Sequence, residues 1–251
     1  MLTLISKHFN QSPETLSTEQ VKSYLYYCKE IRKLSNAHVN QTISALKILR
    51  EDVLGLDWDK TLKIRRPRRV LKMPTILSKS EVSMLIDAAS NPKHKAIIAV
   101  LYSSGVRLEE LLHLRSSDID SERMLIRVNS GKGNKARDTI LATKTLELLR
   151  TYYRFIWPKP KVWLFEGSQY GSQYSRSSVQ KIVKRSAKKA GFKKNVSPHS
   201  LRHAFATHML EQGANLRLIQ KLLGHGSLRA TMVYLHLAEL GPSVKSPLDE
   251  D

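Results

Sequence analysis

Along most of this chain, hydrophobic residues recur three and four positions apart, and the runs stop at residues that end helices. In STEQVKSYLYYCKEI, Val21, Tyr24, Leu25 and Cys28 share one helical face, and Ser17 with Gln20 makes a capping-box start. In HVNQTISALKILREDVL the stripe is Val39, Ile43, Leu46 and Leu49, with Gly55 as the stop. These helices predict a small all-helical unit over residues 1–64. It is thin for an independent domain and suited to gripping a ligand together with the rest of the chain. The periodicity then lapses. KIRRPRRVLKMP, residues 63–74, holds two prolines, many cations and no stripe, and predicts an extended basic linker mapped to 65–77.

A second unit, 78–240, opens on another capping box, Ser78 with Glu81. An apolar helix, KAIIAVLYSSG, ends near Gly105, and the short helix RLEELLHL follows. MLIRV and DTILA flank a Gly-rich turn and predict a β-hairpin. Helical segments follow at 143–155 and 176–190. From Ser197 three closely spaced helices are expected: SPHSLRHAFATHMLEQG, NLRLIQKLLGHG ended by Gly224, and SLRATMVYLHLAEL capped by Ser227. Residues 241–251 form a tail. The fold class is mainly α with a small β-hairpin or sheet, in two domains.

Composition changes this picture in one respect. The 251 residues carry 42 Lys and Arg against 22 Asp and Glu, a net charge of +20. Such an excess favours a polyanionic partner, through phosphate neutralisation and counterion release. Cys28 is the only cysteine, so no internal disulfide or cysteine-based zinc site can form, which fits a reducing cytoplasm. No apolar run approaches the ~20 residues of a membrane span, and MLTLISKHFNQ lacks the pattern of a signal peptide.

Candidate chemistry lies in a few short stretches. His199 and Arg202 share a helical face, and His203 lies one turn from His199. His225 follows the helix-ending Gly224, and Tyr234 falls two turns into the next helix. Arg107 stands directly after a helix break, with Glu110 one turn on. The turn NSGKGNKARD carries Lys132, Lys135 and Arg137 but lacks the spacing of a nucleotide-binding loop. Taken singly, each has a plain structural reading: a surface ion pair, a histidine in a turn, a core tyrosine. The last helices also fit a helix-turn-helix with Arg229 and Thr231 as readers, although Met232, Val233, Leu235 and Leu237 leave little polar surface for base edges. Together the residues suit transfer of a phosphoryl group to tyrosine. Arginine forks neutralise phosphate oxygens, histidines move protons, lysine protonates a leaving alkoxide, and the tyrosine attacks. No Asp/Glu or His/Cys grouping suggests a metal, so none is expected, nor any cofactor.

In GVRLEELLHLRSSDID, SGKGNKAR and SPHSLRHAFATHMLEQGANLRLIQKLLGHGSLRATMVY, the chain resembles the tyrosine recombinases, or phage integrases, nearest to the bacterial Xer and integron-integrase type. The resemblance runs from LSKSEV to YLHLAEL, with four motifs in the family's order and His225 and Tyr234 nine apart. It implies that Arg107 and Arg202 bind the scissile phosphate, that Lys132 is the general acid, and that His199 and His225 serve acid/base and transition-state roles. Tyr234 would form a 3′-phosphotyrosyl link, and Glu110 would support the first arginine. It also implies a C-shaped clamp on double-stranded DNA, with an all-helical N-terminal DNA-binding domain and an α+β catalytic domain. A dimer would bind each recombination site, and a homotetramer would exchange strands through a Holliday junction, with accessory DNA-bending proteins as further partners. Arg65, Arg66, Arg68 and Arg69 of the linker, with Lys135 and Arg137, are the expected DNA contacts. The protein would act in the bacterial nucleoid, away from any membrane.

Three departures stand out: a short N-terminal region in which a first helix looks missing or reduced, Gly226 where many relatives have serine, and a more apolar stretch after the tyrosine. Met232, Val233 and Leu235 are expected to anchor that last helix in the core. Two rival readings share the basic charge: a noncatalytic DNA-binding regulator and a type IB topoisomerase-like nicking and closing enzyme.

Overall fold

In a computed structural model of the chain, the residues described are 1–58, 64, 66–67, 75–129 and 136–236. The chain divides into two compact units, Met1–Met73 and Pro74–Asp251. Among the described residues, no helix is long and apolar enough to cross a membrane.

The first unit holds α1 (Leu2–Phe9), α2 (Thr18–Tyr26) and α3 (Asn36–Ile48). Ser17 and Gln20 close the capping box that their spacing predicts. Both α2 and α3 widen their last turn: the Arg32 N–H donates to the Tyr27 carbonyl at 2.9 Å and the Leu54 N–H to that of Leu49 at 3.0 Å, the i→i+5 pattern of a π turn. Apart from Leu49, the predicted stripes meet Ile5 and Trp58 in one small core. A first helix is therefore present but short. Ile5 is its one fully buried residue, so its apolar stripe is too thin to register in the pattern.

The second unit begins with α4 (Lys79–Asp87) and α5 (Pro92–Ser103). Ala96 to Leu101 are all buried, the mark of a helix covered on every side. It packs against α7 (Thr143–Phe155) and α9 (Pro198–Glu211). After α5 come α6 (Leu108–Leu112) and a three-stranded antiparallel sheet in the order β1 (Ile119–Asp120), β2 (Leu125–Val128), β3 (Arg137–Ile140). The predicted hairpin is in register, Ile126 opposite Thr139 and Val128 opposite Arg137, with β1 added beside it. Then come α8 (Arg176–Lys189), α9, and α10 (Leu216–Leu223).

The end of the described chain differs from expectation. Instead of one helix capped by Ser227, there is a single turn, α11 (Arg229–Met232), whose N-cap position is Leu228 and lacks a side-chain cap, followed by a 3₁₀ turn over Val233–His236. In such a tight turn residues three apart eclipse, so Thr231 and Tyr234 face the same way. Those two are buried, while Met232, Val233 and Leu235 are 47%, 47% and 49% exposed. The apolar neighbours therefore do not anchor this segment. Tyr234 itself does, packed with Phe205, Ala206, Ile219, Leu222 and Leu223.

Candidate active site

Two glycines shape the ground on which the site stands. Gly105 follows α5 with φ of +60°, and a Cβ there would lie 2.4 Å from Phe205 Cδ1. Its turn is pinned from β3, where the Thr139 hydroxyl donates to the Ser104 carbonyl at 2.8 Å. Gly224 ends α10 with φ of +62°. The His225 N–H reaches back to the Gln220 carbonyl and the Gly224 N–H to that of Lys221, both at 3.1 Å, a Schellman closure.

That closure leaves the carbonyls of Leu222, Leu223 and Gly224 without helical partners, at the end of α10 where the helix dipole is negative. Three arginines fill them. Arg137 Nε donates to the Leu222 carbonyl at 2.8 Å, Arg202 Nη2 to that of Leu223 at 2.7 Å, and Arg107 Nη2 to that of Gly224 at 2.9 Å. Arg202 is 1% exposed and donates its other fork arm to the Gly105 carbonyl at 2.5 Å. Burial, and the neighbouring Arg107 charge, lower its pKa to about 10, which still leaves it cationic at neutral pH.

Glu110 organises the other two arginines. Its carboxylate accepts from the Arg107 backbone N–H at 2.7 Å and from Arg107 Nη1 at 2.8 Å. It also takes both fork arms of Arg137, at 2.9 and 2.8 Å. Burial would raise this carboxyl, but the Arg137 and Arg107 hydrogen bonds outweigh it and hold the pKa down at about 2. Arg137 is thus not the hairpin-tip phosphate contact expected of it. Its side chain, 9% exposed, turns inward, where a buried carboxylate and a helix end hold it. The Arg137 and Glu110 charges offset each other, and Arg107 and Arg202 remain as two uncompensated cations. The contacts described use two of the five N–H groups of each.

The histidines and the tyrosine complete the group. His225 Nδ1 pairs with the Thr231 hydroxyl at 2.9 Å, and its ring lies parallel to that of Tyr234 at 6.3 Å. Burial first, then Arg202, Arg107 and Arg137, lower His225 to about 4. His199 is the most solvent-facing of the set. It too is lowered, by partial desolvation and then by Arg202 and Arg107. Tyr234, 3% exposed, is raised by burial against the opposing pull of Arg202 and Arg107. The Tyr234 hydroxyl pairs with His203 Nδ1 at 3.1 Å.

The structure thus brings Arg107, Arg202, His199, His225 and Tyr234 around one place, with Glu110 and Arg137 behind the arginines. Lys132 and Lys135, and the linker residues Arg65, Arg68 and Arg69, lie outside the described residues. Arg66 belongs to the first unit, where Nη1 donates to the Ser44 hydroxyl at 3.1 Å. Sequence reasoning named His203 and Thr231 but gave neither a part in this site. The signals were there, an i,i+4 histidine pair around Arg202 and a threonine three residues before the tyrosine, but neither spacing is diagnostic.

A cluster of guanidiniums with a tyrosine hydroxyl beside it can bind a phosphodiester and attack it. The phage integrase family profile matches residues 75–240. Among curated proteins, the chain is 39% identical to an inferred integrase/recombinase of Sinorhizobium fredii over 94% of this chain and 76% of that one. It is 32% identical to the tyrosine recombinase XerD of Oceanobacillus iheyensis over 90% of this chain and 80% of that one. Among solved structures it is similar to the XerH site-specific recombinase bound to palindromic difH substrate in a post-cleavage complex, with a TM-score of 0.72, 25% identity, and coverage of 94% of this chain and 73% of that one. The motifs, the arginine–tyrosine geometry and these likenesses converge: the chain belongs to the phage integrase family of tyrosine recombinases.

Proposed function

We propose that this protein is a site-specific DNA recombinase that cuts and rejoins strands through a 3′-phosphotyrosyl bond to Tyr234. The observation that carries this reading is the placement of a buried tyrosine hydroxyl beside two arginine forks held by backbone carbonyls. A phosphodiester carries one negative charge and its pentacoordinate transition state two. Two uncompensated guanidiniums match the second better than the first, which is the condition for catalysis by differential binding. Because the tyrosyl ester keeps the phosphodiester's energy, rejoining needs no ATP. Lys132 is the general acid for the 5′ oxygen, and His199 and His225 stabilise the charge that develops.

Duplex DNA as partner is supported by the net charge of +20 and by the DNA-bound relative. In this reading the all-helical first unit and the catalytic unit clamp the duplex from two sides. Arg65, Arg66, Arg68, Arg69 and Lys135 contact its backbone. A dimer on each site pairs into a tetramer that passes through a Holliday junction, with accessory DNA-bending proteins as additional partners.

The test is covalent capture. Purified protein is incubated with a nicked genomic fragment library, and complexes that survive detergent are sequenced. The wild type should yield an adduct at a defined site and Tyr234→Phe none. An adduct of equal yield in Tyr234→Phe refutes the nucleophile, and plasmid relaxation without recombinant product favours a topoisomerase.

A further inference from the structure

Among the described residues, the Tyr234 hydroxyl has one hydrogen-bond partner, His203 Nδ1 at 3.1 Å. The other two histidines are turned to different tasks. His225 commits its Nδ1 to Thr231 and presents a ring parallel to the tyrosine, not a nitrogen aimed at its oxygen. His199 stands edge-on to His203, ring centres 4.5 Å apart, and has no bond to Tyr234. His203 sits on α9 directly after the buried Arg202, so the element that supplies a phosphate-facing cation also aims an imidazole at the nucleophile.

We propose that His203 is a catalytic residue of strand cleavage, its Nδ1 taking the proton of the Tyr234 hydroxyl as the phenolic oxygen attacks phosphorus. This rests on the reading of Tyr234 as nucleophile. The Tyr234 O–H bond breaks and the O–P bond forms. The bond from phosphorus to the 5′ oxygen breaks, and that oxygen takes a proton from the general acid assigned to Lys132. His203 gains one positive charge and the lysine loses one, so the site's total charge is unchanged. In rejoining, the imidazolium returns its proton to the departing tyrosine.

In the absence of DNA the proton belongs on the tyrosine. Burial, then the His199 and Arg202 charges, hold His203 at about 4, while burial raises Tyr234. A bound phosphodiester offsets the Arg202 charge and so raises the basicity of His203, and formation of the O–P bond acidifies the phenol. Transfer thus becomes favourable only when substrate is in place. The groups facing this pair are His199 and Arg202 from α9, Arg107 at the start of α6 and His225 after α10. Of these, His199 and His225 are held below 6.5 and so stay neutral between pH 7 and 9, and Arg202, at about 10, stays mainly cationic there.

The test uses the nicked duplex recovered by covalent capture, made with either oxygen or sulfur at the 5′ bridging position. His203→Asn keeps an acceptor near the Nδ1 position but has no basic nitrogen. His203→Gln is run in parallel in case one variant fails to fold. Adduct formation should fall about 100-fold at pH 7 and recover about tenfold per pH unit toward pH 9, as solvent hydroxide takes over the role. The sulfur leaving group, which needs no acid, should rescue Lys132→Ala and not His203→Asn. Rates within threefold of wild type, a deficit independent of pH, or rescue by sulfur would each overturn the proposal while leaving the recombinase reading intact. Absence of adduct in the wild type would overturn both.

Discussion

Replacing Glu110 by glutamine removes one charge from the buried centre of the arginine cluster. The carboxylate is 2% exposed, and each of its oxygens accepts two N–H groups, one from Arg107 and one from Arg137. An amide supplies one oxygen and turns an NH₂ toward two donors, whichever way it is flipped. Breaking a buried pair by removing one partner costs about 3–5 kcal/mol. The proton linkage gives a similar figure: a carboxyl held at about 2 against 4.5 in the unfolded chain corresponds to roughly 3 kcal/mol. A depressed carboxyl contributes that stability above its unfolded value, so the wild type should lose it as pH falls from 4.5 through about 2, and Glu110→Gln should lack that part of the acid transition. Urea unfolding at pH 7 measures the main effect. Glu110→Leu and Arg137→Met should each cost about 3–5 kcal/mol, and the double variant should cost at least ~2 kcal/mol less than their sum, because an apolar pair replaces a buried ion pair without orphaned charge. In the double variant Arg107 loses the tether on Nη1, so cleavage should remain low although stability recovers. Strictly additive losses, or a loss below about 1 kcal/mol for Glu110→Gln, would refute the argument.

Gly105→Ala should destabilise far more than Gly213→Ala, since both sites have positive φ but only at Gly105 would the new Cβ collide, at 2.4 Å from Phe205 Cδ1; thermal melting should separate a loss of about 1 kcal/mol at Gly213 from several at Gly105. Thr231→Val leaves His225 Nδ1 without its partner at 2.9 Å, so adduct formation should drop about tenfold while Thr231→Ser retains activity. With His203 and His225 both held at about 4, below their ordinary 6.5, the unfolded chain binds more protons in this range, so Tm should fall as pH drops from 6.5 to 4 and His225→Asn should flatten that slope. Met232→Lys and Leu235→Lys should leave Tm within about a degree of the wild type, given their exposure of 47% and 49%, and a large drop would show that these side chains are buried in solution.

The helices that form the scaffold were legible because their signals are local. Ser17, Ser78 and Asn215 cap the helices they precede, and Gly105 and Gly224 end theirs with positive φ. The arginines, histidines and tyrosine that the structure gathers are picked out by motif spacing. What could not be read is what depends on a partner distant in sequence. Arg137 looked like a free cation at a hairpin tip, because nothing local says that a carboxylate 27 residues earlier and a carbonyl 85 residues later would meet it. The last helix was read as continuous because MVYLHLAEL has helical spacing. A tight turn at Val233 reverses which residues are buried, and only packing against Phe205 and Leu223 decides that. His203 drew no role because a histidine beside an arginine is common, and its meaning comes from a hydroxyl 31 residues away.

The electrostatics of this site invert a familiar arrangement. Phosphates are often held at helix N-termini, where free N–H groups and the positive dipole end face the anion. Here it is the negative end of α10 that carries the site, one step removed: its last carbonyls hold three guanidiniums, and in the proposed reading two of those, Arg107 and Arg202, turn their remaining N–H groups to the phosphate. An arginine fork placed this way is rigid without a second carboxylate, which would cancel the charge the chemistry needs. Among the described residues Glu110 is the one acid in the cluster, and Arg137 offsets it, so the cluster keeps a net positive charge while the orientation of Arg107 is fixed at Nη1. The position of α10 then matters to the chemistry as much as any polar group. That position is set by Ile219, Leu222 and Leu223, packed in the same cluster as Tyr234. One apolar core therefore places both the carbonyls that hold the arginines and Tyr234, so in the proposed reading side-chain packing sets the distance between the phosphate-binding forks and the nucleophile.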